Sequence, residues 1–464
     1  MERKLLLLVG DSLRADSFKR YVPKASEYKE LVPAYSQTPG ATFSLLFGRH
    51  LTHVFWPTEL NPMTVLRFAG IETLKDTSAT FGIFNFIPTL SKLLAEESVV
   101  HALRKAGVRT MVYSQLDSPP LSLPPFDVED LANTTRLRLD YVSRAILAVS
   151  WRLATVATKR YRNLGKMALL NTIIDVLPWK KGIIFEAGNF PARHLYEDMA
   201  EVAIYKLKKL KGDWFVYFHA FTPHGEYSCG EFRHALDLHM LTWSFNVHVG
   251  ELLKLYQVDS LERLLRYYRT CDVIRDVLED EGIFRKLRTA YEECVKLFAS
   301  FVKRLEEELV PEGWTVIVTS DHPEYFGEDC LSGHPPLVPL RRPPERVPLL
   351  LLGEGSLEGV RAYTQIPELV AEHFSVRWAA PSSDEVLVTI PYLRDNKWSI
   401  MVVSTDGDKT AYHAVDESGN EVWGGPEELR EAISQHERRA AEERKKIINR
   451  LKIKLKLRRR LLNK

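Results

Sequence analysis

Five short runs of this chain are apolar without alternation: KLLLLVG (residues 4–10), VRTMVYS (108–114), WFVYFHAF (214–221), WTVIVTSD (314–321) and VPLLLLG (347–353). Side chains along a strand point alternately to its two faces, so a strand with no polar face must be covered on both. Helix-periodic stretches separate the runs. Together they predict an α/β fold, a mostly parallel central sheet sandwiched by helices. In such sheets ligands collect beyond the carboxyl ends of the strands. Three of the runs deliver ionisable, metal-capable groups there: KLLLLVG leads to Asp11, WFVYFHAF to His219 and the loop TPHGEY, and WTVIVTSD to Asp321 and His322.

At 464 residues the chain exceeds one ordinary small core, which suits a large α/β unit with insertions. The expected body covers 1–375, with helical insertions near 126–210 and 231–310. A small C-terminal α+β subdomain is expected over 376–430, where DEVLVTIPYL, NKWSIMVVSTDG and DKTAYHAVDESGNEVW alternate as antiparallel strands do. Turns fall at Asp406-Gly407 and within ESGNEV. A polar helix and basic tail complete the chain over 431–464.

Residues 444–464 hold 11 Lys/Arg and no acid, against a net charge of +2 for the whole, so the remainder is net acidic. That distribution argues against a nucleic-acid-binding protein, whose charge covers a face of the fold. A helical tail would place Ile448, Leu451, Leu455 and Leu462 on one face and suit an anionic membrane surface. The alternation in LKIKLKL fits an extended strand as well, and a disordered charged run or a nucleic-acid contact stays open.

The opening MERKLLLLVGDS has only a five-residue apolar run before Gly-Asp and reads as a buried strand, not an export signal. No window approaches the roughly 18 apolar residues of a membrane span. A cytoplasmic protein is expected, with peripheral membrane contact through the tail as the variant. Four cysteines without CxxC spacing exclude a zinc ribbon or thioredoxin-type motif, and reduced thiols are the default expectation. Five Gln beside Arg- and Glu-rich helices read as a thermophile composition; there a disulfide is allowed, and Cys229 with Cys330 is the pair to test.

The stretch TPGATFSLLFGRH (38–50) has two readings. Thr38 or Thr42 caps a helix, or Thr38 is a nucleophile or metal ligand in the field of a helix N-terminus. Asp11, Asp321 and His322 are oxygen and imidazole donors on separate strands, suited to Mn²⁺, Zn²⁺, Ca²⁺ or Mg²⁺. With Thr38 they make a four-ligand set for one divalent ion, which would depress the hydroxyl pKa.

These residues in this order resemble the sulfatase branch of the alkaline phosphatase superfamily. VGDSLRADSF is similar to its first-strand metal segment, TPGATFSLLFGRH to its nucleophile segment, FVYFHAFTPHGEY to the segment with a substrate-facing His, and VIVTSDHPEYFGEDCLSGH to the late metal strand with its downstream His. HALRKAGVRTMVYS and RVPLLLLG resemble neighbouring elements, so the likeness spans about residues 4–355, and the terminal small sheet agrees with it. Counting back from Gly48-Arg49 puts Thr38 at the nucleophile position. The resemblance implies Asp11, Thr38, Asp321 and His322 as metal ligands. It sets His224 and His334 to face an anionic ester or a second metal, unless they are plain loop histidines. Arg14 or Arg49 would grip an ester oxygen, Arg49 at a helix end also reading as a salt-bridge partner.

Departures narrow the implied chemistry. Thr38, Gly40 and Thr42 stand where formylglycine sulfatases need Cys or Ser, Pro and Arg; Ser12 and Thr222 replace two acids. What remains is a one-metal, Thr-nucleophile hydrolase or transferase of phosphate or sulfate esters, similar to the phosphotransferase and lipoteichoic-acid-synthase-like members. A sulfatase-fold binding or scaffold protein without catalysis is the alternative.

Overall fold

The computed structural model of the chain describes residues 2–23, 26–55, 87–114, 122–131, 203–224, 282–328, 332–334, 344–394, 397–407, 409–415 and 420–462. All five apolar runs form strands of one seven-stranded sheet. Its order is Glu27–Leu31, Val347–Leu352, Trp314–Ser320, Lys4–Gly10, Trp214–Ala220, Arg109–Ser114 and Val128–Leu131. Val347–Leu352 pairs antiparallel with both of its neighbours, and the remaining pairings are parallel.

Strand Lys4–Gly10 is central and shows why its sequence has no polar face. Leu5, Leu7 and Val9 enter one buried cluster with the helix Thr38–Phe47, whereas Leu6 and Leu8 enter another with the helix Ile283–Glu308. Register with its neighbours aligns Gly10 with Ala220 and with Ser320. Asp11, His219 and Asp321 are thereby brought to one edge of the sheet.

A second sheet, Val386–Arg394, Lys397–Asp406, Lys409–Val415 and Glu421–Gly424, is antiparallel throughout and turns at Asp406-Gly407 as expected. The stretches 126–210 and 231–310 lie largely outside the described residues. Of their described parts, Val128–Leu131 is an edge strand and Ile283–Glu308 covers one sheet face.

Residues Glu427–Leu462 form one unbroken helix, so LKIKLKL is helical and not an extended strand. The helix docks on the body through Ile433, Ala440, Ile447 and Leu451, all buried. Glu443 pairs with Arg49 at 3.2 Å, and Arg450 with Glu97 at 2.9 Å. Leu451 is buried in the core and Ile448 packs against it, so two of the four residues assigned to a membrane-facing stripe face protein instead. No helix among the described residues is long and apolar enough to cross a membrane. Cys294 is disulfide-bonded, against the default of reduced thiols; Cys229 and Cys330 lie outside the described residues.

Candidate functional site

Thr38 is the first residue of its helix. Gln37 is the N-cap, and no side chain caps the helix start. The capping reading of Thr38 therefore gives way: its Oγ1 lies 3.3 Å from His322 Nε2. The Thr-Pro-Gly sequence fits this start physically. Pro39 occupies the first turn, where no amide hydrogen is required. A Cβ on Gly40 would overlap the Tyr35 ring at 2.1 Å. The helix ends at Gly48 in the left-handed conformation, φ 58°, which closes it against Ser44 O.

Facing Thr38 is a buried cluster: Asp11 is 1% exposed, and Asp321, His322 and His219 are fully enclosed. One donor atom each from Asp11, Asp321 and His322 can be chosen with all three within 4.8 Å of one another. Ser12 links the carboxylates. Its N–H donates to Asp321 Oδ1 at 3.0 Å and its hydroxyl to Asp11 Oδ1 at 3.2 Å. Its backbone sits at φ 64°, a conformation that costs a non-glycine residue about 1–3 kcal/mol. Burial raises the Asp11 carboxyl, but the charge of His224, the bond and charge of His219 and the charge of His322 outweigh it, and Asp11 is held well below the usual carboxylate range. Burial drives His322 the other way, toward the neutral imidazole.

The tautomer of His322 follows from its neighbour. Nδ1 lies 3.2 Å from Pro323 O, which can only accept, so Nδ1 carries the hydrogen and Nε2 a lone pair. That lone pair accepts from the Thr38 hydroxyl at 3.3 Å and lies 3.4 Å from Asp321 Oδ2 and 3.6 Å from Asp11 Oδ1. Asp321 Oδ2 is buried and receives no hydrogen bond from the described residues. Lone pairs converging in a buried site repel one another, and a buried carboxylate oxygen without a donor is costly. A divalent cation resolves both, and this oxygen-and-imidazole set fits one.

The other predicted residues have distinct placements. His224 and His334 are partly buried at the rim, their rings 4.9 Å apart and His334 4.4 Å from the His322 ring. His334 Nδ1 is held by the enclosed Glu324 at 3.1 Å. Arg14 is not open to an ester. Its guanidinium binds Asp16 through Nε and Nη2, Glu324 O and Glu328 through Nη1, and Glu345 through Nη2, which engages all five donors. Burial opposes its charge, but these carboxylates outweigh it and raise its pKa. Arg49 is a structural tie, bound to Glu97 at 2.6 Å and Glu443 at 3.2 Å.

The sequence assigns Glu324 no role, and His219 only that of a metal-capable group at a strand end. His219 Nε2 is 3.3 Å from Asp11 Oδ2, and Nδ1 is 3.1 Å from the Tyr217 hydroxyl. A histidine in a strand buried on both faces must find polar partners, and that signal is present in WFVYFHAF. Glu324 gives no such signal, because its burial depends on the fold of the following loop.

No family model and no curated protein matches the chain. Solved structures do. A phosphonate monoester hydrolase of Agrobacterium radiobacter aligns at 12% identity over 97% of this chain and 96% of that one, with a TM-score of 0.50. A Bacteroides thetaiotaomicron protein, provisionally described as a sulfatase, aligns at 10% identity over 97% and 93%, with a TM-score of 0.51. With the sheet order and the small terminal sheet, these matches show that the chain has an alkaline phosphatase/sulfatase-like fold.

Proposed function

We propose that the protein is a metal-dependent hydrolase or transferase of phosphate or sulfate esters with Thr38 as its nucleophile. The observation that carries this reading is the convergence of the His322 Nε2 lone pair, the donorless Asp321 Oδ2 and the Thr38 hydroxyl on one buried point. Asp11, Asp321, His322 and Thr38 would hold one divalent ion. When bound, the ion lowers the pKa of the Thr38 hydroxyl and offsets charge on the ester's non-bridging oxygens. Thr38 Oγ1, its proton released to solvent, bonds to phosphorus or sulfur. The bond to the ester oxygen breaks, and that oxygen takes a proton from His224 or His334 at the rim. Water or an acceptor alcohol, deprotonated by the same imidazole, then displaces Thr38 and regenerates it. Ser12 keeps the two carboxylates in register throughout.

Turnover of nitrophenyl phosphate monoester, phosphate diester and sulfate by protein loaded with Mn²⁺, Zn²⁺, Ca²⁺ or Mg²⁺ tests this. Metal-dependent release from one ester is expected and identifies the reaction class. No release from any of them, together with no metal uptake, would leave a non-catalytic binding protein as the better reading.

A further inference from the structure

We infer that Tyr291 is a positioning residue for the metal site: its hydroxyl holds the turn after the strand Lys4–Gly10 in the shape that keeps the Asp11 and Asp321 carboxylates together. The inference rests on the metal-dependent reading above and extends it to what fixes the ligands. In this turn every amide from Asp11 to Ala15 is bonded to another part of the chain. Asp11 N–H donates to Ala220 O at 2.9 Å, Ser12 N–H to Asp321 Oδ1 at 3.0 Å and Leu13 N–H to Ser320 Oγ at 2.7 Å. Arg14 N–H donates to the Tyr291 hydroxyl at 2.8 Å, and Ala15 N–H to Arg346 O at 2.9 Å. Tyr291 bonds the turn twice, because its hydroxyl also donates to Ser12 O at 2.9 Å. One oxygen thereby brackets Leu13 and fixes the carbonyl of Ser12, the residue at φ 64°. A non-glycine residue keeps that conformation only where its surroundings over-determine it. If the turn relaxed, Asp321 would lose the Ser12 N–H and Asp11 the Ser12 hydroxyl, and hydrogen bonds of this kind orient metal ligands. The phenol is itself rigidly set: Tyr291 is fully enclosed on the helix Ile283–Glu308, its ring 4.9 Å from that of Phe326. Tyr363, in the buried cluster on the other sheet face, donates to Ser320 O at 2.9 Å. Both ligand-bearing strand ends are thus braced by a buried phenol.

Chelator-treated full-length protein is titrated calorimetrically with Mn²⁺, Zn²⁺, Ca²⁺ and Mg²⁺, as wild type, Tyr291→Phe, Ser12→Gly and the double variant. Tyr291→Phe removes the hydroxyl alone, and affinity for the ion that wild type binds best should fall at least about tenfold. Glycine adopts φ 64° without steric cost. In the Ser12→Gly background the same substitution should therefore cost less, by a factor of about three or more. Unchanged affinity in Tyr291→Phe, or an equal loss in both backgrounds, would overturn the inference; an equal loss is the result expected of a hydroxyl that only stabilises the fold. Should Tyr291→Phe fail to fold, the double variant should fold and bind the ion, and its failure as well would overturn the inference while the metal site of wild type stands. Binding of none of the ions to wild type would instead remove the metal-dependent reading and this inference with it.

Discussion

The helix Thr38–Phe47 meets buried histidines beyond both of its ends, and the two clusters differ in the charge around them. At the front, His219 and His322 face two carboxylates and a hydroxyl. At the rear, His50 and His53 follow the helix and meet His436 of the C-terminal helix, with ring centroids 5.0 and 5.3 Å from it. His436 is tied to the Thr52 hydroxyl at 2.8 Å and to Asp384 Oδ2 at 3.2 Å. Arg444 donates to Thr52 O, Arg439 to Asp384 and Arg49 to Glu443 and Glu97, so cations crowd this junction. Similar residue types thus serve opposite ends: the front has surplus acceptors and calls for a cation, whereas at the rear burial holds His50 and His53 toward the neutral imidazole, and added positive charge weakens it.

Replacing Thr38 by Ala should break the contrast most sharply. Turnover should fall by roughly 10³-fold or more, as for loss of other catalytic nucleophiles, while the melting temperature of the protein barely moves. Kinetics and calorimetry on the same preparation check both halves. Metal removal comes next. Saturation with the cognate ion at 100 times its dissociation constant should stabilise the fold by about 2.7 kcal/mol, and a chelator should reverse that together with activity.

Acid should act on the rear. Burial, then the charge of His436, pushes His50 down to about 3, and burial holds His53 well below its ordinary 6.5. Below pH 6.5 the unfolded chain therefore takes up protons that the folded protein refuses. Stability present above pH 6.5 is lost as pH falls toward about 3, by up to about 1.4 kcal/mol per proton per pH unit. Asp384, depressed because the bond and charge of His436 and the charge of Arg439 outweigh burial, adds loss of the same sign. Hydrogen exchange in the helix Glu427–Leu462 should accelerate over this window; exchange that stays flat would separate the histidines from docking. The smallest effect is expected from Asp321→Asn without metal. Removing a buried charge that has one donorless oxygen should stabilise the metal-free fold by about 1 kcal/mol while abolishing stabilisation by metal. A denaturant series with and without metal measures both.

Much of this arrangement was legible in the sequence. The five apolar runs named the five strands because covering both faces leaves no polar residue in a buried strand. Glu27–Leu31 and Val128–Leu131 were missed because EYKEL and VEDL sit at the sheet edges, where polar side chains reach water. Asp11, Asp321 and His322 stood out because strand ends share one rim, and Thr38 because Gly48-Arg49 fixed its register. Arg14 misled: its charge suggested an anion grip, but only the fold shows that Glu328 and Glu345 come from far along the chain to occupy it. The tail's alternation likewise suggested a strand, whereas docking of Ile447 and Leu451 selects the helix.

The central claim is that Thr38 bonds covalently to the transferred group. Acid quenching during turnover of the best nitrophenyl ester, followed by peptide mass spectrometry, tests it directly. The account predicts one phosphoryl or sulfuryl group on the peptide containing Thr38, formed only with metal present and absent from Thr38→Ala. Turnover that continues with the group on another residue, or persists in Thr38→Ala, would contradict it.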